Sequence, residues 1–349
     1  MTLSVSVIIP VFEAEEFVAE AVRSALEQSE MGEVLLVEDG SPDGSLAVCE
    51  RLAAEDERVR LLRHPGGANR GAGETRNLGL RETRCELVAF LDADDFLLPG
   101  RFANAVAKLE DDPSLDGVYE AVGTQCESDE MRQWWREQFG GSDLTTLGRP
   151  AAPEQLFFDL VRGGNGTFHT NGITVRRSLL ERSGLFPAHL RMCQDQAMWL
   201  KMAAVGRLAA GKLDEPVAMR RMHGENRIVK DRPEHGWWGL QMAWYVLRWG
   251  RGVRLEEAKL LALVDMVLDY QRWLALRRGG RLLYRLTHVW CLSRLLATCP
   301  GTWRSRRFRE EAARLIPGGL RRLIERRRPW KGAMAGEQMK EAGGASEGG

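Results

Sequence analysis

The sequence has little that would place the protein outside the cell or across a membrane. Its six cysteines are scattered without a C-x-x-C pair, so neither a disulfide framework nor a zinc site is indicated, and we expect reduced thiols. The first residues form an apolar run without a basic leader, and no uncharged run approaches the length of a bilayer span. We therefore expect a cytoplasmic protein, with association at the inner face of the membrane left open.

The chain also lacks an excess of either charge, since its 49 basic residues balance its 49 acidic residues. No nucleic acid or other polyelectrolyte partner is indicated for the chain as a whole. Three catalytic signatures are missing as well: the G-x-S-x-G elbow, the P-loop and the H-E-x-x-H helix. Hydrolases built on that elbow, P-loop kinases and zincins therefore have no support.

The first part of the sequence alternates strand patterns with helix patterns. Apolar, β-branched runs predict strands at 3–12, 33–37, 59–63 and 86–91. Amphipathic segments between them predict helices at 15–28, 46–54 and 73–84. This alternation predicts an α/β fold with a mostly parallel, Rossmann-like, doubly wound sheet.

The later part of the sequence changes character twice. Further strands are expected at 116–123, 168–175 and 213–219, and further helices at 99–111, 191–205, 237–249, 255–273 and 282–297. Residues 124–153 break the pattern and are interpreted as a variable lobe over the site. We divide the chain into a catalytic domain at 1–225, a helical basic region at 226–331 and a disordered tail at 332–349.

The helical region concentrates positive charge. Residues 272–331 contain seventeen Lys and Arg against three Glu, with Leu, Trp and Tyr interleaved. Such a pattern is consistent with a helix lying on a membrane surface, with a dimer contact, or with an ordinary helical bundle whose basic face is solvated. We favour the ordinary bundle, and leave peripheral membrane contact and oligomeric state open.

The most informative stretch is the apolar run at 87–91, which is followed by Asp92, Asp94 and Asp95. An apolar run without alternation predicts a strand buried on both faces, so these carboxylates lie at its carboxyl end, where open α/β sheets bind ligands. Clustered negative charges are unfavourable without a cation, and a divalent ion carried by a diphosphate is the natural candidate. A solvated acidic turn before a helix is the alternative.

Asp39 follows the second predicted strand and is placed to accept hydrogen bonds from a nucleotide base or ribose. The segment from Glu38 to Glu50 also approaches the spacing of an EF-hand calcium loop, but a strand rather than a helix precedes it. The next loop and the start of the helix after it supply candidates for phosphate contacts through backbone N–H groups and guanidinium: Asn69, Arg70, Gly71, Gly73 and Arg76. A simple surface ion pair is the alternative for Arg76.

Two later positions also have open interpretations. Asp195, which follows Gln194, is either a functional carboxylate or a favourable acidic residue in the first turn of a helix. His223, near the end of a strand, is either functional or a partly buried structural histidine.

Several motifs, taken together and in order, resemble glycosyltransferase family 2. They are Pro10-Val11-Phe12, Glu38-Asp39-Gly40-Ser41, Arg76-Asn77, Asp92-Ala93-Asp94-Asp95, Gly184-Leu185-Phe186, Gln194-Asp195 and His223-Gly224-Glu225-Asn226. The resemblance extends over about residues 3–228. It implies a GT-A fold, a nucleotide-sugar donor, a divalent metal and inversion at the anomeric carbon.

The resemblance also implies roles for single residues. Asp39 is similar to the carboxylate that reads the nucleotide base, with Pro10 and Phe12 beside that base. Asp92 is similar to the ribose-side member of the D-x-D element, and Asp94 to its metal ligand. Asp195 is similar to the catalytic base, and His223 to a late histidine that touches metal or diphosphate.

These expectations combine into a metal-dependent inverting glycosyltransferase that uses Mg²⁺ or Mn²⁺, a UDP-sugar donor and a glycan or lipid-linked acceptor in polysaccharide biosynthesis. Departures from the family pattern are Glu38, Phe12-Glu13 and Gln194, the last of which bears on how Asp195 is held. The alternatives are a nucleotide-sugar-binding protein without turnover and a nucleotidyltransferase. The latter needs an early basic loop, whereas residues 11–17 are acidic.

Overall fold

The computed structural model describes residues 3–138, 141–224, 226, 235–278 and 281–315. The predicted disordered tail at 332–349 lies outside the described residues, and the division of the chain at 225 stays a prediction. All six cysteines are free thiols, as expected from their spacing.

A central sheet of seven strands organises the fold. In pairing order these are β10 (Leu208–Ala210), β6 (Gly117–Tyr119), β9 (Ile173–Arg176), β4 (Leu87–Phe90), β1 (Val5–Val11), β2 (Met31–Glu38) and β3 (Val59–Arg63). Only β9 runs antiparallel to its neighbours, so the predicted mostly parallel sheet is confirmed. The inner strands are apolar because helices cover both of their faces.

Helices connect the parallel strands in the predicted alternation. They are α1 (Val18–Leu26), α2 (Ser45–Glu55), α3 (Ala72–Glu82) and α4 (Ala103–Asp111). Each crossover returns the chain to the same edge, so β1, β2 and β4 all end on one side of the sheet. The loops that follow these three strands carry Phe12, Asp39 and Asp92.

A second, small sheet was not predicted. It pairs β5 (Phe96–Leu97), β11 (Ala218–Met222), β7 (Val122–Cys126) and β8 (Leu144–Thr145). The single strand predicted at 116–123 is therefore wrong, because β6 and β7 belong to different sheets and the chain turns at Glu120, whose buried carboxylate pairs with Arg101.

Other predicted boundaries need correction. The strand predicted at 213–219 is present as β11 but begins at Ala218, after Pro216, which has no N–H for a ladder, and the additional strand β10 precedes it. The strand predicted at 168–175 shortens to β9, because the 3₁₀ turn Thr170–Gly172 precedes it. Residues 124–153 are not irregular throughout, since they contain α5 (Asp129–Gln138) and β8.

Three more helices pack on the central sheet before the carboxyl-terminal region. They are α6 (Pro153–Arg162), α7 (Arg177–Ser183) and α8 (Gln194–Val205). The helix predicted at 191–205 starts later because Cys193 adopts left-handed backbone angles (φ 59°) and ends the preceding loop. Since α8 begins at Gln194, Asp195 lies in its first turn.

The predicted helices of the carboxyl-terminal region are present, with one more after them. They are α9 (His235–Gly252), α10 (Glu257–Arg278), α11 (Arg281–Thr298) and α12 (Arg306–Leu315). Their apolar side chains join those of α6 and α8 in one continuous hydrophobic core. Across the described ranges, no helix has the length and hydropathy needed to cross a membrane.

Candidate active site

One cavity of about 1110 Å³ lies at the carboxyl ends of β1, β2 and β4. Every side chain predicted to act in the site lines it: Pro10, Phe12, Asp39, Arg76, Asp92, Asp94, Asp195 and His223. The crossover topology brings the first six to one sheet edge, while α8 and the end of β11 supply the other two. The volume slightly exceeds the usual range for small-ligand sites.

Asp39 is almost fully buried beneath the glycine-rich loop. Its two carboxylate oxygens accept hydrogen bonds from the backbone N–H groups of Arg70 (2.7 Å) and Gly71 (2.8 Å). The expectation that these N–H groups contact phosphate is therefore wrong, because they hold Asp39 instead. His64 Nε2 lies 3.6 Å from the same carboxylate, so the loop after β3 is tied to the end of β2.

Arg76 forms an ion pair with Asp92, with 2.5 Å between Nη2 and Oδ1. The alternative of a surface pair is thus wrong in location, since both partners line the cavity. Burial by itself would raise the pKa of Asp92, but the charge and the hydrogen bond of Arg76 outweigh burial and lower that pKa. Asp92 is therefore held as a carboxylate facing the cavity.

Asp95 is a structural member of the acidic cluster. Its oxygens accept hydrogen bonds from Asn171 Nδ2 (2.6 Å) and from the backbone N–H of Arg221 (2.8 Å). Asn171 Oδ1 in turn accepts the N–H of Asp92, at 3.0 Å. Burial, and then the charges of Asp94 and Asp92, raise the pKa of Asp95 well above its ordinary value.

Asn171 is itself held from behind. Its backbone carbonyl accepts a hydrogen bond from Arg101 Nε (2.9 Å), and Arg101 pairs with Glu120 at 3.0 Å, both side chains being fully buried. Asn171, Arg101 and Glu120 thus form a buried polar network that fixes the end of β4. None of these three residues lines the cavity. Sequence reasoning missed Asn171, because a lone Asn followed by Gly172 is typical of a turn and carries no functional motif.

Asp94 meets His223 across the cavity floor, with 3.4 Å between Oδ2 and Nε2. Asn226 Nδ2 lies 3.3 Å from the same carboxylate oxygen, while its Oδ1 accepts the backbone N–H of His223. The ring of Phe17 stacks on the imidazole, with centroids 5.7 Å apart. The first strand-to-helix loop and the end of β11 therefore orient His223 toward Asp94.

Two sets of oxygen and nitrogen donors are close enough for a divalent cation. Oxygen and nitrogen ligands of Mg²⁺ or Mn²⁺ lie about 2.1 Å from the ion, so neighbouring ligand atoms lie about 3 Å apart. The distance of 3.4 Å between Asp94 Oδ2 and His223 Nε2 is close to that value. Asp92, Asp95 and His169 also have ligand atoms within 4.8 Å of one another. Since each oxygen of the buried Asp95 already accepts a hydrogen bond and Asp92 is paired with Arg76, the Asp94 and His223 pair fits the ion better.

Asp195 lines the same cavity from the first turn of α8. The preceding Gln194 is buried, and its Nε2 donates to the carbonyl oxygen of Leu190. Gly73 permits this arrangement, because a Cβ there would lie 2.8 Å from Gln194 Oε1. Gln194 therefore ties the loop before α8 to the start of the helix that carries Asp195.

Residues that were not assigned from the sequence complete the rim. Arg220 lines the cavity with its guanidinium 5.4 Å from the ring centroid of Trp135, on helix α5 of the lobe. His169 is largely buried, and burial followed by the charge of Arg220 lowers its pKa to about 3. The alternation of β11, which turns Arg220 and Arg221 to opposite faces, is a signal that could have identified Arg220.

The calcium-loop interpretation of 38–50 is wrong, because β2 and not a helix precedes the loop and Asp39 is occupied by backbone N–H groups. Glu38 turns away from the cavity and accepts hydrogen bonds from Ser41 N–H (2.5 Å) and Arg63 Nε (2.9 Å). Burial opposes ionisation of Glu38, but these hydrogen bonds lower its pKa.

Comparison with known proteins gives a consistent result. The family model described as Glycosyl transferase family 2 matches residues 6–184. The uncharacterized glycosyltransferase EpsJ of Bacillus subtilis is 30% identical over 193 residues, which is 55% of this chain and 53% of EpsJ. An uncharacterized glycosyltransferase of Nostoc sp. is 26% identical over 318 residues, covering 85% of this chain and 89% of its own.

Among solved structures, the crystal structure of S. aureus TarS 1-349 in complex with UDP-GlcNAc superposes with a TM-score of 0.61. It is 18% identical and covers 93% of this chain and 86% of its own, so the likeness concerns the fold. The GT-A-like α/β fold expected from the resemblance, with helices at the carboxyl end, is confirmed. The matched part spans about half the length of EpsJ.

Proposed function

We propose that this chain, which belongs to glycosyl transferase family 2, transfers a sugar from a nucleoside diphosphate to an acceptor hydroxyl with inversion of the anomeric carbon. The observation that carries the proposal is the single cavity lined by all eight predicted side chains. A UDP-sugar is the proposed donor, and a glycan or lipid-linked sugar the proposed acceptor.

The donor end of the cavity is assigned to the β1 and β2 tips. Phe12 is 37% exposed and offers a face for a nucleotide base, beside Pro10. Asp39 is fixed by two N–H groups but still lines the cavity, so its carboxylate can accept from the base. Asp92, held by Arg76, is assigned to the ribose side.

The diphosphate is assigned to the floor between Asp94 and His223, which would hold Mg²⁺ or Mn²⁺. When bound, such a cation supplies Lewis-acid stabilisation of the charge on the departing diphosphate. Arg220 lines the same cavity and adds positive charge near this end. Arg220, together with a cation held by Asp94 and His223, would supply the positive charge that a nucleoside diphosphate needs.

Asp195 is assigned as the general base. Direct displacement needs one group to take the proton from the attacking hydroxyl, on the face of the sugar opposite the diphosphate. Asp195 enters the cavity on α8, an element separate from the sheet edge that carries Asp92 and Asp94. This placement supports turnover over the alternative of a binding protein without chemistry.

The test is a panel of nucleotide sugars, each with and without Mg²⁺ or Mn²⁺, read as thermal stabilisation of the full chain. We expect metal-dependent stabilisation by at least one UDP-sugar and by UDP itself. If no nucleotide in the panel raises the melting temperature, the proposal is contradicted. Once a donor is found, its slow hydrolysis gives a turnover readout that needs no known acceptor.

A further inference from the structure

The outer face of α11 is apolar where a solvated helix would carry charge. Among residues 288–298, whose side chains the structure describes, the exposed positions are Val289, Trp290, Ser293, Leu296 and Ala297. At 100° per residue these positions fall within an arc of about 120°. Ser293 is the one polar residue among them, and none is charged.

The exposure of these side chains is large. Trp290 is 57% exposed, Val289 48% and Leu296 43%. The opposite face of α11 is already used, since His288, Cys291, Leu292 and Leu295 are buried. The helix therefore presents apolar residues on two sides, and the inner face alone accounts for packing against α10 and α12.

The neighbouring helix gives a direct contrast. The exposed positions on the described side chains of α12 are Arg306, Arg309 and Glu310, all of them charged. An ordinary solvated bundle, which the composition favoured, predicts this pattern for α11 as well. The outer face of α11 departs from it, so another environment must cover that face.

Aromatic and cationic groups adjoin this face. Arg294 lies between two indole rings, 4.8 Å from the centroid of Trp290 and 4.9 Å from that of Trp244. Trp303 is 56% exposed on the 3₁₀ turn Pro300–Arg304, which folds back on α11 through Thr302 Oγ1 and the carbonyl of Leu295. Trp and Arg together are typical of surfaces at the boundary between water and lipid.

The charge of the region selects the occupant. Residues 272–331 carry seventeen basic against three acidic residues, so two copies of this segment would repel each other, whereas an anionic surface would attract the segment. Neither Arg294 nor Arg309 forms an ion pair with any described residue. We propose that the outer face of α11, with Trp303, docks the chain on a bilayer surface that carries anionic headgroups.

The test is a co-sedimentation assay of the full chain with extruded vesicles of phosphatidylcholine, with and without about 30% phosphatidylglycerol. We expect binding to the anionic vesicles that weakens with added salt. The variant V289S/W290S/L296S should lose about tenfold or more in partition coefficient. Because these side chains are exposed, its melting temperature should stay near that of the wild type; the single variant L296S, with a smaller loss, covers the case that the triple variant misfolds.

V253S is the matched control, since Val253 is 44% exposed in the turn after α9 and lies outside this face. The binding of V253S to vesicles should not differ from that of the wild type. Equal binding of the wild type to both vesicles, or unchanged binding of the triple variant, would overturn the proposal. So would self-association in the absence of lipid that the triple variant abolishes, because the face would then be a subunit contact. Vesicle binding needs neither donor nor metal, so its failure would leave the proposed chemistry untouched.

Discussion

Asp94 and His223, 129 positions apart in the sequence, approach to 3.4 Å between Oδ2 and Nε2. One lies after β4 of the central sheet and the other after β11 of the small sheet. The separation is close to the value of about 3 Å for two neighbouring ligands on one small cation. Only folding brings these two side chains together, since they lie on different sheets.

We expect D94A and H223A each to lower metal-dependent affinity for a UDP-sugar by at least about tenfold, or about 1.4 kcal/mol. Each variant removes one of two donors that fit a single ion. Calorimetry with and without Mn²⁺ measures this, with D214A as a control because Asp214 is exposed and outside the cavity. Unchanged metal-dependent affinity in both variants would show that Asp94 and His223 are not the metal ligands.

We expect D195N to lower kcat by about 10²–10⁴-fold, the usual contribution of a general base, while donor affinity stays within about twofold. An amide keeps the size of the side chain but cannot take the proton. Turnover and calorimetry on the same preparation separate the two effects, and D214N is the matched control. A D195N enzyme with near-normal kcat would show that another group is the base.

We expect N171A to lower the free energy of unfolding by about 1–3 kcal/mol, because it leaves a buried Asp95 oxygen and the Asp92 N–H without a partner. N171D should cost at least as much, since it places a second carboxyl group beside Asp95. Urea denaturation measures both. N165A is the control, because the Asn165 amide bonds near the surface, and a loss as large there would point to a general effect of removing an amide.

The free energy of unfolding should depend on pH through Lys201, a buried residue of α8. Its ammonium group lies near the rings of Tyr245 and Trp249 and donates to the carbonyl of Leu185. Burial lowers its pKa to about 8 from the ordinary 10.5. Between these values the unfolded chain holds a proton that the folded chain has released, so Lys201 makes stability rise with pH across that window.

The measurement for Lys201 is urea denaturation of the wild type and K201M at pH 7, 9 and 10. Relative to K201M, the wild type should gain up to about 3 kcal/mol from pH 8 to 10.5. Other titrating groups are common to both proteins and cancel in the comparison. A stability difference that stays constant with pH would show that Lys201 keeps its proton in the folded state.

Much of the fold was predictable because the signal is local. Strands such as β1, β2 and β4 are apolar without alternation, and the helices between them have apolar faces, so the sequence predicts a mostly parallel sheet and places Asp39 and Asp92 at strand ends. The small sheet was not predictable, because β5 and β8 are two residues long and form only by pairing with distant strands.

The acidic cluster shows where local reasoning ends. Asp92, Asp94 and Asp95 look alike in the sequence, yet their partners differ. Asp92 pairs with Arg76 and Asp94 faces His223. Asp95 is buried and accepts hydrogen bonds from Asn171 and Arg221. Which carboxylate does which depends on partners 16 to 129 positions away. A spacing rule therefore identifies the cluster but not the roles within it.

Local sequence by itself determined the order of strands and helices and the presence of carboxylates at strand ends, because apolar periodicity and turn residues act between near neighbours. The tertiary structure alone decided that Asp195 on α8 and His223 after β11 share one cavity with Asp94, since such contacts arise only when separate elements pack on one core. It also decided that no described residue covers the outer face of α11, because burial depends on what packs beside a helix and not on the pattern of the helix itself.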